Sequence, residues 1–103
     1  MTLNMILEDR IKEEQRLYKL LAISRIPDYM HEPLVLYVVH RIQGGSFLTA
    51  VLSNDLTEAC ACADDNNKRC LFDYINFLYN NTPRICWGSP EKVQKWLQER
   101  VIE

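Results

Sequence analysis

Four helix-start signatures crowd the stretch between Gly44 and Glu91, and they restrict this chain to short helices. Gly44-Gly45-Ser46, Asp55 with Glu58 three residues on, Asp64-Asp65, and Ser89-Pro90-Glu91 are the four. Each offers a turn former, or a side-chain oxygen that can accept from the free N–H groups of a first helical turn. Apolar runs such as Phe47-Leu48 with Ala50-Val51-Leu52 lie between them. Punctuation of this density leaves no room for a long strand-rich sheet.

The first segment differs. Leu3 to Ala22 lacks Gly and Pro, and Ile6, Leu7, Ile11, Leu17, Tyr18 and Leu21 recur at helical spacing. Within it Leu7, Ile11, Tyr18 and Leu21 step by four and three around Glu14, a short heptad-like seam with one polar interruption. Such a helix either lies on its own domain or pairs with another copy. The break at Ser24 to Pro27 divides the chain into an N-terminal amphipathic helix, residues 1–24, and a helical core, residues 25–103.

Pro27 and Pro33 bracket a turn holding Asp28 and His31, and Pro33 suits the first turn of a helix reaching about Ile42. Val35, Val38 and Val39 make a strand the competing reading; Gly44 as a helix stop favours the helix. After Leu52 the chain either restarts at Asp55 or continues as one helix to Ala63. A main helix is expected from Lys68 to Tyr79, with Leu71, Tyr74, Ile75 and Leu78 as one stripe and Cys70, Phe72 and Phe77 on other sides. An apolar circumference of that kind places the helix at the centre of the fold or between subunits. Pro83 ends it. Ser89 then caps a last helix whose Val93, Trp96, Leu97 and Val101 face inward. The expected fold is an all-α, single-domain bundle of about five helices.

At 103 residues the chain suits one domain with a real core. A net charge of −2 creates no field that gathers nucleic acid, and the basic residues are scattered rather than striped. No apolar run approaches the roughly 20 residues of a membrane helix, and the charged start (Glu8, Asp9, Arg10, Lys12, Glu13) is unlike a signal peptide. A cytoplasmic protein is expected. Cys60, Cys62, Cys70 and Cys86 therefore read as reduced thiols, buried or half-buried. Cys60 and Cys62 sit two apart on a helix and point to opposite sides, which argues against a shared metal ion. No cofactor or metal is expected. The Asn80-Asn81-Thr82 acceptor triplet carries no weight without secretion.

Catalytic signatures are weak. His31 and His40 neighbour no serine or cysteine in a recognisable arrangement, although a Cys86–His pair formed across the fold stays open. Asp64 and Asp65 look like capping charge. A small anionic ligand is conceivable at the freer helix starts, Ser46 and Ser89, with Arg84, Trp87 and Tyr79 adding charge and stacking faces; Trp87 as a plug of the core is the plainer reading. Protein binding is the broadest class the composition admits, with Tyr18, Tyr29, Tyr37 and Tyr79 as interface aromatics.

From Ile26 to Leu97 the sequence resembles a family of small uncharacterised proteins encoded by tailed bacteriophages and prophages. The shared elements are Ile26-Pro27-Asp28-Tyr29-Met30, the run from Gly45 to Leu56, Ala63-Asp64, Phe77-Leu78-Tyr79-Asn80, Pro83, and Cys86-Trp87-Gly88-Ser89-Pro90 followed by Val93 and Trp96. Gln43, where the family commonly has proline, and Cys60 and Cys62 depart from the pattern, and the helix before Ser24 is an addition. The resemblance implies a phage accessory protein acting in the host cytoplasm. Non-enzymatic phage proteins of this size commonly block host defences, so the expected partner is a host defence protein or a cyclic-nucleotide-type signal. An adaptor or regulatory interaction module unrelated to defence is the alternative. Ser46, Asn54, Asp55, Tyr79, Asn80, Arg84 and Trp87 are the candidate binding residues, because polar groups set between apolar runs are costly to bury without a purpose. Helix capping is the competing account of Asn54 and Asn80. Leu7, Ile11, Tyr18 and Leu21 are the candidate contact to a second copy.

Overall fold

A computed structural model describes residues 3–99, with side chains from Leu7 onward. Seven α-helices occur among them: α1 Leu3–Ala22, α2 His31–His40, α3 Ser46–Leu52, α4 Leu56–Cys62, α5 Asp65–Arg69, α6 Leu71–Asn81 and α7 Pro90–Gln98. Single 3-10 turns cover Asp28–Met30 and Arg84–Cys86, and no strand occurs among the described residues. The fold is all-α as expected, with seven helices in place of five. Val101 lies outside the described residues.

The two extra helices come from breaks that the pattern of apolar residues does not show. Between α3 and α4, Asn54 adopts a left-handed backbone, φ 61°. Its N–H reaches Val51 O at 3.1 Å and the Asp55 N–H reaches Ala50 O at 2.9 Å, the paired closure of a Schellman motif. Asparagine tolerates that conformation better than most residues. The Asp55 side chain then accepts from the Glu58 N–H, so the helix restarts instead of running on to Ala63. The second break is at Cys70, which divides the expected Lys68–Tyr79 helix. Asp64 caps α5 by accepting from the Asn67 N–H at 2.8 Å. The bend that follows leaves Asn67 buried, its amide oxygen accepting from the Tyr74 hydroxyl.

The end of α2 is a further correction. The helix begins at His31, ahead of Pro33, and stops at His40, before the expected Ile42 and Gly44. Arg41 takes the left-handed position, φ 58°. Tertiary contacts account for a residue with so little preference for it: the Arg41 guanidinium lies 3.7 Å from the centroid of the Trp96 ring, and it donates to Glu99 O at 3.2 Å. Gly44 serves elsewhere, because a Cβ there would meet Leu48 Cδ2 at 2.9 Å.

The core is centred on α3, whose Phe47, Leu48, Ala50, Val51 and Leu52 are all buried. It packs on α4 and α7, and α1 packs on α2. Phe47 meets Tyr74 of α6 edge to face, with ring centroids 5.2 Å apart. Each large apolar side chain so enclosed contributes about 1.5–3 kcal/mol. Two buried hydrogen bonds lock the layers: Tyr37 Oη donates to Cys86 O at 2.6 Å, and Trp96 Nε1 donates to Tyr37 O at 3.0 Å. Helix α2, the 83–89 segment and α7 are thereby fixed to one another. That segment is also tied to α3, since the Gly88 N–H donates to Leu52 O at 2.7 Å. Gly88 has φ 118°, a conformation that suits glycine alone.

Helix α1 joins the core through Leu17 and Leu21, both buried, with Leu20 packed beside them. Leu21 therefore belongs to the interior of this chain and drops out of the expected seam. Polar ties reinforce the docking: Arg16 donates to Asn81 O at 2.7 Å, and the His40 ring meets the Glu14 carboxylate. Leu7, Ile11 and Tyr18 stay exposed. The α6 helix is apolar on its inner side only; Phe72, expected to be covered, is 77% exposed.

Candidate binding site

The seven candidate residues fall into two groups that no hydrogen bond or ion pair joins among the described residues. Ser46, Asn54 and Asp55 surround the α3–α4 corner. Tyr79, Asn80 and Arg84 lie at the carboxyl end of α6 and the 3-10 turn after it, with Trp87 behind them in the loop.

At the corner the polar groups are committed to helix ends. Asn54 and Asp55 close α3 and open α4 as described, which accounts for their presence between apolar runs. Ser46 is the first residue of α3 and not its cap; Gly45 holds the cap position in extended backbone and has no side chain to accept with. A groove of about 420 Å³ runs past Ser46, Thr49, Ser53 and Pro90, and the Asp55 and Glu58 carboxylates line it too. Two carboxylates disfavour a phosphate there, despite the free N–H groups of the α3 start. Ser89, the other helix start considered for an anion, accepts from the Lys92 N–H at 3.1 Å and so caps itself.

A smaller apolar groove, about 120 Å³, lies between α3, α4 and α6. Ala50, Val51, Leu56, Ala59, Leu71 and Ile75 line it, with Asn54 and Asp55 at its rim. It is large enough for one or two side-chain ends, well below the volume of a nucleotide pocket.

The outer side of α6 is different in kind. Phe72, Asn76 and Tyr79 follow one another at steps of four and three, so they share one stripe about 10 Å long. Phe72 is 77% exposed and Tyr79 59% exposed. Arg84 folds back over Tyr79, with its guanidinium 5.0 Å from the ring centroid and Nη2 donating to the hydroxyl at 3.2 Å. Asn80 turns its amide to the Asn76 carbonyl at 2.8 Å, an ordinary contact within one helix. Ile85, in the 3-10 turn, is exposed as well. Phe72 and Ile85 were missed by the sequence reading. The available signal was that Phe72 shares its stripe with polar Asn76 and not with Leu71, Tyr74 and Leu78.

Trp87 is half-buried and packs against the core, in keeping with its reading as a plug. Its indole Nε1 is buried and meets no acceptor among the described residues.

Burial pushes Cys70 and Cys86 up from the ordinary thiol range, and a hydrogen bond to Glu58, aided by desolvation, does the same for Cys62. A raised pKa keeps the neutral thiol and withholds the reactive thiolate. Cys60 is exposed, contrary to the expectation of a buried or half-buried group. His31 meets the Ile26 carbonyl at 2.8 Å within the connection that leads into α2, and His40 meets Glu14 and so ties α2 to α1. No three His, Cys, Asp or Glu side chains converge as metal ligands among the described residues. Among the described residues no helix is long and apolar enough to cross a membrane.

The chain matches no protein-family model and shows no significant similarity to a curated protein or a solved structure.

Proposed function

We propose that this is a non-enzymatic binding protein that occupies a partner macromolecule through the outer stripe of α6, and that in its phage setting the partner is a host antiviral defence protein. The observation that carries the reading is the exposed pair Phe72 and Tyr79 with the Arg84 guanidinium over the latter. Aromatic and arginine side chains supply most of the energy at protein interfaces, and one ring held by a stacked cation is already ordered before contact. The phage setting rests on the sequence resemblance over residues 26–97.

A second reading, capture of a cyclic nucleotide-type signal, is favoured by one feature: Arg84 and Tyr79 together offer a cation and a stacking face. The stripe lines none of the grooves described above, and the groove beside Ser46 carries carboxylates, so the protein partner ranks first.

Expression of the chain in bacteria carrying a defined defence system should make them permissive to phage. The double variant F72A/Y79A, melting at the same temperature, should lose this effect. A variant that remains fully active removes the α6 stripe from the reading. A thermal shift with cyclic di- or trinucleotides, abolished in R84A, would assign the nucleotide route instead.

A further inference from the structure

We infer that the groove between the α1–α2 connection and α5 is an anion site, and that its ligand is a small molecule ending in a phosphomonoester, gripped between Arg25 and Arg69. The inference stands apart from the α6 reading, since it shares no residue with that stripe.

The groove measures about 400 Å³ and is lined by Arg25, Pro27, Asn66, Arg69 and Cys70. That volume lies in the range of small-molecule sites. Two guanidinium groups thus reach one hollow from elements far apart in sequence, and no carboxylate among the described residues lines it. Nor does either arginine form an ion pair among those residues. Arg69 donates one N–H to the Asn66 amide oxygen at 3.2 Å, which orients the group and leaves its other donors open. In a chain of net charge −2, a hollow with two uncompensated cations runs against the overall field.

Both walls are held before any ligand arrives. Ser24 Oγ donates to Leu21 O at 2.7 Å and accepts from the Ile26 N–H at 3.2 Å, so the turn presenting Arg25 is closed on both sides of it. Ile26 is buried and anchors that turn in the core. On the opposite wall Cys70 Sγ donates to Asn66 O at 3.3 Å, across the turn that carries Arg69. The Tyr29 hydroxyl donates to the Asp64 carboxylate and clasps one wall to the other. The second oxygen of Asp64 accepts from the Asn67 N–H, so this carboxylate is engaged in the fold and stands outside the lining. A site ordered in advance loses less freedom on binding.

The paired cations select the ligand. A phosphomonoester carries a charge of about −1.5 to −2 at neutral pH on three terminal oxygens, enough to meet two planar guanidinium forks at once. A carboxylate has one charge and two oxygens, which a single arginine satisfies. A nucleic-acid backbone has one charge per phosphate and is held by a row of cations, whereas this hollow supplies two. The remaining volume admits the ring or short chain that bears the phosphate, with Pro27 as an apolar wall.

Backbone amide NMR shifts of the full chain, followed during titration at constant ionic strength, test this. Phenyl phosphate and adenosine 5′-monophosphate are the probes, with acetate and adenosine as the singly charged and uncharged controls. Both phosphomonoesters should move the amides of Arg25, Asn66 and Arg69 saturably, with half-saturation on the order of 1 mM. The controls should not saturate. Tighter binding of the nucleotide than of phenyl phosphate would assign a base to the apolar wall, and equal binding would confine recognition to the phosphate; either result supports the site. R25A and R69A, melting as the parent does, should each weaken binding by about tenfold, and R84A should leave it unchanged. Shifts that rise linearly with concentration, that spread over every cationic surface, or that survive in R25A/R69A overturn the inference. Acetate saturating the same amides as tightly would overturn the choice of phosphate.

Discussion

The two sides of α6 carry similar residues to opposite ends. Inward, Tyr74, Phe77 and Leu78 are buried, and the Tyr74 hydroxyl is matched to a buried amide. Outward, Phe72 and Tyr79 stand in solvent, and the Tyr79 hydroxyl is met by the side chain of Arg84. An aromatic ring stabilises this fold when its neighbours remove it from water on every side. Without such neighbours its apolar area remains available to a partner. The difference lies in position on the helix, not in residue type.

Substitutions can break that comparison. Phe77→Ala, emptying a buried ring site, should cost about 3–5 kcal/mol in urea unfolding; Phe72→Ala on the outer side should stay within about 0.5 kcal/mol. Comparable losses at the two positions would mean that the outer side is packed after all. Tyr74→Phe should cost about 1–3 kcal/mol, because it strands the Asn67 oxygen in the interior without a donor. Tyr79→Phe removes a hydroxyl that water can replace, and its stability should be indistinguishable from the parent.

Alkaline unfolding sharpens the same contrast. Burial is the main cause that lifts the Tyr37 and Tyr74 phenols above the ordinary tyrosine range. A raised folded-state value means that the unfolded chain releases these protons first, near the ordinary pKa of about 10. The stability from both groups is complete below that pH and declines as pH climbs past it towards the folded values. Tyrosinate absorbance of the two groups should therefore appear together with loss of helical circular dichroism. Titration of all five tyrosines before any loss of helix would contradict their burial.

The corner between α3 and α4 yields a modest change in stability and none in activity. Asp55→Ala should cost about 1 kcal/mol through loss of the cap on Glu58. Because Asn54 and Asp55 are accounted for by helix ends, neither N54G nor D55A should reduce activity in the permissiveness assay. A selective loss of activity there, at unchanged melting temperature, would move the binding surface from α6 to this corner.

Much of this architecture could be read from the chain in advance, where the cause was local. Ser89 and Pro90 open α7, and Asp55 and Asp64 open α4 and α5, because a side-chain oxygen three residues from a free N–H acts wherever the chain goes. The all-helical class followed from the same signals. Tertiary structure decided the rest. It ended α2 at Arg41, in a left-handed backbone, through Trp96 fifty-five residues away, and it broke the expected long helix at Cys70 while Asn67 was buried against Tyr74. It also assigned Leu21 to the interior and Phe72 to solvent. Helical spacing states which residues share a face. Which face is covered depends on the neighbours that arrive there, and that information is spread over the whole chain.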